Sequence, residues 1–382
     1  MPTNIKLRDF LKIVFFTYHV WRSERRAGFH HLAKSFHDFG WKVLFFTTGL
    51  SWISSLQGNK RLNYYSTHER NKLVEELPNF YSYLHFTPFH SIGFKQSLIN
   101  FFIQPLVESY SLFSFDQTHD FISEADLLIF ESADGLLLIE QITDINKNAR
   151  TVYRMSDLLT VLRKHPVSTK YEKKYWDFFD LISVPSEFMY SQFKSSENLS
   201  LDYHGISKDD FNKPHQSPFD ENAYNAVWVG NGYFDHNFLQ IASSCKEDWY
   251  FHIIGDVEKK VLAKNIFYYG EMPFTETIPY ILNANLGLDN KSWKPDMESC
   301  TDSLKVLQYT YAGLPIILPN FLKSNRSNIY SYEPANPDSI HSSLSRAQNH
   351  PSGQDEKHSI NSWHDLAARL AGPLWNQHLG LN

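Results

Sequence analysis

The chain has 382 residues, a formal net charge of -6 at pH 7, 42% hydrophobic residues and two cysteines. This length exceeds the size at which one hydrophobic core usually stops growing, so two domains are expected. The negative charge argues against nucleic-acid binding, which needs a basic face, and the two cysteines show neither a metal-ligand spacing nor a disulfide framework.

The apolar run near the amino terminus, within residues 1–21, is too short for a membrane span and lacks a small-residue cleavage site. We therefore expect a cytoplasmic protein without a signal peptide. Peripheral attachment to a membrane remains open, because a later segment is strongly apolar.

Short apolar runs bounded by polar or turn residues occur in two series. The first comprises 12–19, 41–48, 125–132, 149–156 and 180–186; the second comprises 225–231, 249–256, 265–272, 284–290 and 314–320. Segments with helical periodicity separate most of these runs, which is typical of parallel sheets connected by crossover helices. Two series predict two Rossmann-like, doubly wound α/β domains that face each other across a cleft.

A polar, turn-rich segment at 195–225 separates the two series and indicates an interdomain linker. We therefore predict a first domain at 1–205, a second at 206–355, and a terminal helix at 356–382 that can pack back on the first domain. In doubly wound sheets, ligands bind beyond the carboxyl ends of the strands. Polar residues follow several predicted strands, and among them are Glu131, Gly230-Asn231 and Glu271.

The stretch TDSLKVLQYTYAGLPIILPN (301–320) combines a helix that has an N-cap signal with the last predicted strand. Lys305 falls in the first turn, where its charge repels the helix dipole, and Gln308 lies one turn later on the same side. An anion bound at the helix start would relieve this repulsion. The alternative is a solvated lysine lying over the helix. The anion interpretation requires that no internal acid already pairs with Lys305.

Ser156-Asp157 ends another predicted strand. The Asp157 carboxylate can act as a general base towards a sugar hydroxyl, or it can cap a helix over 157–165. Glu271 and Met272 follow a strand of the second series. They can contact the ribose and base of a nucleotide, or they can form an ordinary helix-entry turn.

Two further segments have alternative interpretations. Arg22, Arg25 and Arg26 follow the first strand and can receive a diphosphate or a carboxylate, although a solvated loop is the commoner case. Residues 90–115 are apolar on more than one face. They can contact lipid or a lipid-linked acceptor, but we favour a packed helix interrupted near Pro105.

Several motifs match one protein family, in the family's order and across nearly the whole chain. They include RRAGFH (25–30), IFES (129–132), VYRMSDLL (152–159), VGNGYFD (229–235), YGEM (269–272) and SLKVLQYTYAGLP (303–315). The chain thus resembles the GumK-type bacterial glucuronosyltransferases of exopolysaccharide assembly, which have the GT-B fold. The resemblance implies an inverting, membrane-associated enzyme that transfers glucuronate from UDP-glucuronate to a lipid-diphosphate-linked oligosaccharide at the inner face of the cell membrane.

On this basis Asp157 is the predicted catalytic base, and the first domain binds the acceptor. The predicted donor-binding residues are Gly230, Asn231, Glu271, Met272, Ser303, Leu304, Lys305 and Gln308. The predicted acceptor-binding or charge-stabilising residues are Arg25, Arg26 and Glu131. We expect no cofactor and no metal, because no acidic pair follows an apolar strand where a catalytic ion would bind.

The chain departs from the family at two places near the donor. Asn231-Gly232 stands where the family has a methionine, and Asp289-Asn290-Lys291 replaces a Pro-Tyr pair, so that Lys291 offers a new cation. Three alternatives therefore stay open. They are a transferase with another UDP-sugar, a nucleotide-sugar epimerase or hydrolase, and a non-catalytic scaffold that binds nucleotide sugars.

Overall fold

A computed structural model of the chain describes residues 10–162, 164–220, 223–351 and 356–378. The chain divides into two compact units. The first comprises Met1–Ser23, Ala27–Asp202 and His364–Asn382, and the second comprises Glu24–Arg26 and Tyr203–Trp363. Residues 1–9 lie outside the described residues. The part of the predicted first domain that they form, and the predicted absence of a signal peptide, therefore fall outside the structure's description.

The first unit contains an eight-stranded sheet. Its strands are β1 (Lys12–Thr17), β2 (Lys42–Ser51), β3 (Leu73–Leu77), β4 (Phe80–Thr87), β5 (Leu127–Glu131), β6 (Arg150–Arg154), β7 (Leu181–Val184) and β8 (Leu199–Leu201). Its helices are α1 (Gly28–Asp38), α2 (Trp52–Leu56), α3 (Ser97–Glu108), α4 (His119–Ser123), α5 (Ile139–Ile145), α6 (Pro166–Lys174) and α7 (Glu187–Phe193). The strand order is β3-β4-β2-β1-β5-β6-β7-β8, and only the β3–β4 pair is antiparallel.

The central strands of this sheet are apolar along their length because helices cover both faces. In β1 every residue after Lys12 is buried, and the ring of Phe16 stacks on that of Phe130 in β5 at 4.6 Å. The chain runs from β1 to β2 on one side and later returns to β5 on the other side. The carboxyl ends of β1 and β5 therefore form a topological switch point, where doubly wound sheets bind ligands.

The second unit contains a six-stranded, entirely parallel sheet in the order β11-β10-β9-β12-β13-β14. Its strands are β9 (Tyr224–Val229), β10 (Trp249–Ile254), β11 (Ile266–Gly270), β12 (Leu286–Leu288), β13 (Ile316–Pro319) and β14 (Ile329–Tyr332). Its helices are α8 (Lys208–Asn212), α9 (His236–Cys245), α10 (Phe274–Asn283), α11 (Leu304–Tyr311) and α12 (Pro337–Gln348). The switch point of this sheet lies between β9 and β12.

Two last helices, α13 (Trp363–Ala371) and α14 (Pro373–His378), end the described chain. In the first unit, the Trp375 ring contacts Phe36 of α1 at 5.7 Å and Phe39 at 4.3 Å. In the second unit, the backbone N–H of Ile206 donates to the carbonyl of Asn361 at 3.0 Å. The units divide between Asp202 and Tyr203, a few residues before the predicted boundary at 205/206, and the chain returns to the first unit at His364 rather than at 356.

The ten predicted strands are confirmed, as are the two doubly wound sheets. Strands β3, β4, β8 and β14 were not predicted from the sequence. The segment 195–225, predicted as the interdomain linker, contains the division between the two units at Asp202/Tyr203 and also includes β8 and α8. The predicted break near Pro105 is wrong, because α3 continues through this residue. None of the helices in the described part of the chain combines the length and hydropathy that crossing a bilayer requires.

Candidate active site

A buried carboxylate joins three strand ends at the switch point of the first sheet. Glu131, the last residue of β5, is 0% exposed. Its carboxylate accepts hydrogen bonds from the Thr17 hydroxyl, from the Ser156 hydroxyl at 2.9 Å and from the Tyr18 backbone N–H at 3.3 Å. The Nε2 atom of His19 lies 3.4 Å from the same carboxylate. The carboxyl ends of β1, β5 and β6 are therefore tied together through one side chain.

Glu131 is held in its ionised form. Burial alone would raise its pKa, but the nearby imidazole of His19 and the donating hydroxyls outweigh burial, and the pKa is lowered. Because the carboxylate is completely buried, direct contact with an acceptor, one of its two predicted roles, conflicts with the structure. The charge-stabilising role stays a prediction.

Asp157 directly follows Ser156 beyond the carboxyl end of β6 and is half-buried. Residues 159–162 form turns, and the next helix, α6, begins only at Pro166 with His165 as its N-cap. The predicted helix at 157–165, and with it the capping alternative for Asp157, is wrong. Asp157 therefore lies in an irregular segment at a strand end, a position from which a general base can act.

The arginine cluster after β1 separates into two parts. Arg22 forms ion pairs with Glu69 at 2.8 Å and with Glu76 at 2.9 Å, so its guanidinium is already paired within the first unit. Arg25 and Arg26 are exposed in the connection between β1 and α1. Their role with the acceptor stays a prediction.

A second buried carboxylate lies at the switch point of the other sheet. Asp289 follows β12 and is 0% exposed. One of its oxygens is 2.7 Å from the Lys291 ammonium, and the other is 3.2 Å from the Lys305 ammonium. The Ser303 hydroxyl also donates to this carboxylate, at 3.3 Å. The Lys305 ammonium lies over the Trp228 ring, 4.2 Å from its centroid.

This arrangement contradicts the premise from which an external anion was inferred. Lys305 already pairs with an internal acid, so the repulsion by the helix dipole needs no ligand to offset it. Burial lowers the pKa of Lys305 to about 8, although Asp289 opposes this shift. The pKa of Asp289 is lowered, since its two lysine partners outweigh its burial. Two ammonium groups share one carboxylate, which leaves one excess positive charge at pH 7.

The other predicted donor residues cluster at the ends of β9, β10 and β11. A side chain at Gly255 would have its Cβ 1.7 Å from the carbonyl oxygen of Gly230, so the close approach of these two turns requires glycine. Asn231 donates from Nδ2 to Glu271 at 2.9 Å, and its Oδ1 accepts the backbone N–H of Asp256 at 2.7 Å. Asn231 therefore links the turn after β9 to Glu271, which follows β11.

The remaining donor residues lie around the start of α11. Ser303 is its N-cap residue, while Leu304 and Gln308 are half-buried. Met272 packs partly into the apolar cluster under this helix. From the sequence, His19, Ser156 and Asp289 were recognised as polar residues at strand ends but were given no role, and Thr17 was not singled out. Their position next to the carboxyl end of an apolar run does not show which charges they contact.

No group of three His, Cys, Asp or Glu side chains that could hold a metal ion occurs in the ranges that the structure describes. The expectation of a metal-independent reaction stays a prediction. The cations nearest the carboxyl end of β12 are the ammonium groups of Lys291 and Lys305.

Comparison with known proteins agrees with the predicted family. Residues 15–185 match the family model described as glucuronosyltransferase GumK, N-terminal domain. The chain is 27% identical over 358 residues, 93% of its length and 88% of the relative's, to the UDP-glucuronate:glycolipid 2-beta-glucuronosyltransferase of Xanthomonas campestris pv. campestris.

Solved structures agree on the fold. The sucrose-phosphate synthase of Thermosynechococcus elongatus is similar with a TM-score of 0.65 and 12% identity, covering 97% of this chain and 100% of that chain. Anabaena Alr3699/HepE in complex with UDP and glucose is similar with a TM-score of 0.57 and 12% identity, covering 97% of this chain and 98% of that chain. The predicted GT-B fold is confirmed. The chain is therefore similar to the GumK glucuronosyltransferases along most of its length, and it has the GT-B fold.

Proposed function

We propose that the chain transfers glucuronate from UDP-glucuronate to a hydroxyl of a lipid-diphosphate-linked oligosaccharide, with inversion at the anomeric carbon. The observation that carries this proposal is the likeness to a glucuronosyltransferase along 93% of the chain, which includes both sheets. Both switch points, where doubly wound sheets bind ligands, also have a buried carboxylate.

The second unit is the proposed donor site. Lys305 is paired with Asp289, so no unpaired lysine is invoked. Instead, the two ammonium groups of Lys291 and Lys305 share one carboxylate, and their excess positive charge favours the entry of a diphosphate. The start of α11 adds backbone N–H groups that face the same end of the sheet. As the diphosphate leaves, the ammonium groups stabilise its developing charge, and removal of one such group typically costs about 100-fold in rate or more.

The first unit supplies the proposed base. The Asp157 carboxylate takes the proton of the acceptor hydroxyl while that oxygen attacks the anomeric carbon and the UDP bond breaks. The neighbouring Ser156 is held by Glu131, so the segment that contains the base is anchored to the sheet. Such anchoring matters because a base must lie within hydrogen-bond reach of the proton it removes.

Peripheral attachment to the inner face of the cell membrane is part of the same proposal. Helix α3 exposes large apolar side chains to solvent, among them Phe101 at 70% and Phe102 at 71%. The packed helix favoured from the sequence is therefore wrong for this face. Exposed phenylalanines of this kind insert into the interfacial region of a bilayer, where a lipid-linked acceptor would be found.

A transferase that uses another UDP-sugar is the second candidate. The observation that favours it is the ion pair between Lys291 and Asp289, which occupies positions where the family has a Pro-Tyr pair. This change lies at the donor end of the second sheet and alters the polar groups that a sugar would meet there.

The test measures transfer of labelled sugar from UDP-glucuronate and, separately, from UDP-glucose into a lipid extract, together with donor consumption in the absence of acceptor. We expect a labelled lipid product only with UDP-glucuronate. Asp157→Asn should reduce transfer by about 100-fold or more and leave UDP affinity unchanged. Full turnover by this variant would reject Asp157 as the base.

The other outcomes separate the alternatives. Equal use of UDP-glucose indicates a different donor. Donor consumption without acceptor indicates an epimerase or a hydrolase. Binding of UDP with no transfer under any condition indicates a scaffold.

A further inference from the structure

The first unit contains a cavity that the predicted site residues do not occupy. Its volume is about 570 Å³, and it is lined by Leu159 and Thr160 from the turn after β6 and by Lys164, Thr169, Lys170 and Lys173 from α6 and the segment before it. Leu159 follows Asp157 by two residues, so the cavity begins beside the segment that contains the proposed base.

The cavity has three ammonium groups and no carboxylate among its lining residues. Lys164 is largely neutralised by the buried Asp134 at 3.1 Å. Lys170 makes only an exposed contact of 3.5 Å with Glu108, a kind of pair that contributes little. Lys173 forms no ion pair with any residue in the described ranges. The charges of Lys170 and Lys173 are therefore available to an anionic ligand.

The nearest acid on the same helix does not cancel these charges. Glu172 turns inward, where the Tyr153 hydroxyl donates to it, and burial raises its pKa. Glu172 is only 8% exposed and is not among the residues that line the cavity. The surface of α6 that lines the cavity is thus cationic.

The cavity lies beside the exposed apolar helix. The Nε2 atom of His165, the N-cap residue of α6, is 2.9 Å from the carbonyl oxygen of Asn100 in α3, so the two helices are in direct contact. Helix α3 has no charged residue before Glu108, its last. It exposes Leu98, Ile99, Phe101, Phe102 and Leu106. A cationic cavity and an apolar surface side by side match a ligand that joins an anionic group to a hydrocarbon chain.

We infer that this cavity binds the diphosphate that links the acceptor's oligosaccharide to its lipid. The inference rests on the proposed function and adds a binding site to it. Lys170 and Lys173 would contact the diphosphate as point charges, and the lipid would lie along α3.

The test compares two acceptors that differ only in the anionic group. One is the lipid-diphosphate-linked oligosaccharide, and the other is the same oligosaccharide on a neutral alkyl chain. The double variant Lys170→Gln/Lys173→Gln should raise the KM of the first acceptor about tenfold to a hundredfold and leave that of the second unchanged. The KM of UDP-glucuronate should not change.

Lys174→Gln is the matched control. Lys174 is on the same helix and is also exposed, but it pairs with Glu140 at 2.7 Å and lies outside the cavity lining. This variant should behave as the unchanged protein with both acceptors. An equal effect of the control and the double variant would overturn the inference, because it would mean that the charge of the whole helix matters rather than the cavity.

A binding measurement separates the inference from the proposed function. Farnesyl diphosphate in detergent should bind to the full chain in calorimetry, and the double variant should lose this binding, whether or not any sugar is transferred. Vesicles of phosphatidylglycerol identify the other source of phosphate. If the double variant loses vesicle binding but still binds farnesyl diphosphate, the cavity binds lipid headgroups and the inference fails.

Discussion

Glu131 accepts a hydrogen bond from the Ser156 hydroxyl at 2.9 Å, across the carboxyl ends of two neighbouring strands. Because Asp157 is the next residue, the buried acid controls the position of the segment that carries the proposed base. We therefore expect Glu131 to act as a positioning residue rather than as a group that contacts substrate.

Glu131→Gln tests this role, since it keeps the size of the side chain and removes its charge. The new amide cannot accept from all the donors that surround the carboxylate. We expect the kcat of transfer to fall about 100-fold, as a small displacement of a catalytic group can cause, with no change in the KM of UDP-glucuronate. A merely structural role would lower the melting temperature without this split between kcat and KM.

Glu140→Gln serves as the control for charge removal, because Glu140 is an exposed acid of the same unit. It should change neither parameter.

The stability of the two variants should also differ with pH. The lowered pKa of Glu131 means that its ionised form stabilises the fold above the unfolded value of about 4.3, and this stabilisation is lost as the pH falls through the folded pKa. Glu131→Gln should lack this acid-dependent loss.

The affinity for UDP should depend on pH through Lys305. Burial lowers its pKa to about 8, and a bound diphosphate favours the ammonium form. Below about pH 8 the affinity should be nearly constant, and above it the affinity should fall by up to about tenfold per pH unit while binding takes up a proton. Calorimetry in buffers of different ionisation enthalpy measures both quantities.

The Lys305→Gln variant should bind UDP more weakly at pH 7. Its UDP affinity should also not change with pH between about 7.5 and 9, the range that brackets the Lys305 pKa of about 8. If this variant shows the same fall in affinity, another group titrates and Lys305 does not contact the diphosphate. That result would be consistent with a lysine whose only partner is Asp289.

Transfer should persist after treatment with a chelator. The proposed donor site uses the ammonium groups of Lys291 and Lys305 where many transferases use a divalent ion, so no metal is needed to stabilise the leaving diphosphate. The rate with excess EDTA should equal the rate with added Mg²⁺ or Mn²⁺. Loss of activity that either ion restores would contradict this prediction.

Membrane attachment should depend on the exposed face of α3. The double variant Phe101→Asp/Phe102→Asp should lose at least about tenfold in vesicle affinity, because each phenylalanine contributes about 1.5–3 kcal/mol when it is buried in an apolar medium. The melting temperature should stay the same, since both rings are exposed. Co-sedimentation with vesicles measures the first quantity.

Leu262→Asp is the matched control, because Leu262 is an exposed apolar residue of the second unit. It should not affect vesicle binding. A drop of several degrees in the melting temperature of the α3 variant would instead mean that the phenylalanines pack within the protein.

The order of the main strands could be read from the chain because each is a run of apolar residues. Residues of β1, β5 and β9 are buried on both faces, and this requirement appears directly in their composition. Strand β3 was missed because its LVEEL sequence lies at a sheet edge, where one face meets solvent. Strand β8 was missed because three residues are too few for a periodic pattern.

In the candidate site, too, some features were predictable from the sequence and others were not. The positions of Asp157 and Glu271 after apolar runs were sufficient to predict that they lie at strand ends. The pairing of Lys305 with Asp289 was not predictable, since 16 residues separate them and only the packing of α11 on β12 brings them together. The burial of Glu131 likewise depends on two other strands.

By itself, the sequence determined the two doubly wound sheets, the resemblance to one family and the strand ends at which polar residues collect, because these follow from local patterns of residues. Only the tertiary structure decided which charges are already paired, that α3 turns its apolar side chains outward, and that lysines of α6 line a cavity. These properties depend on contacts between segments distant in the chain, and no local pattern encodes them.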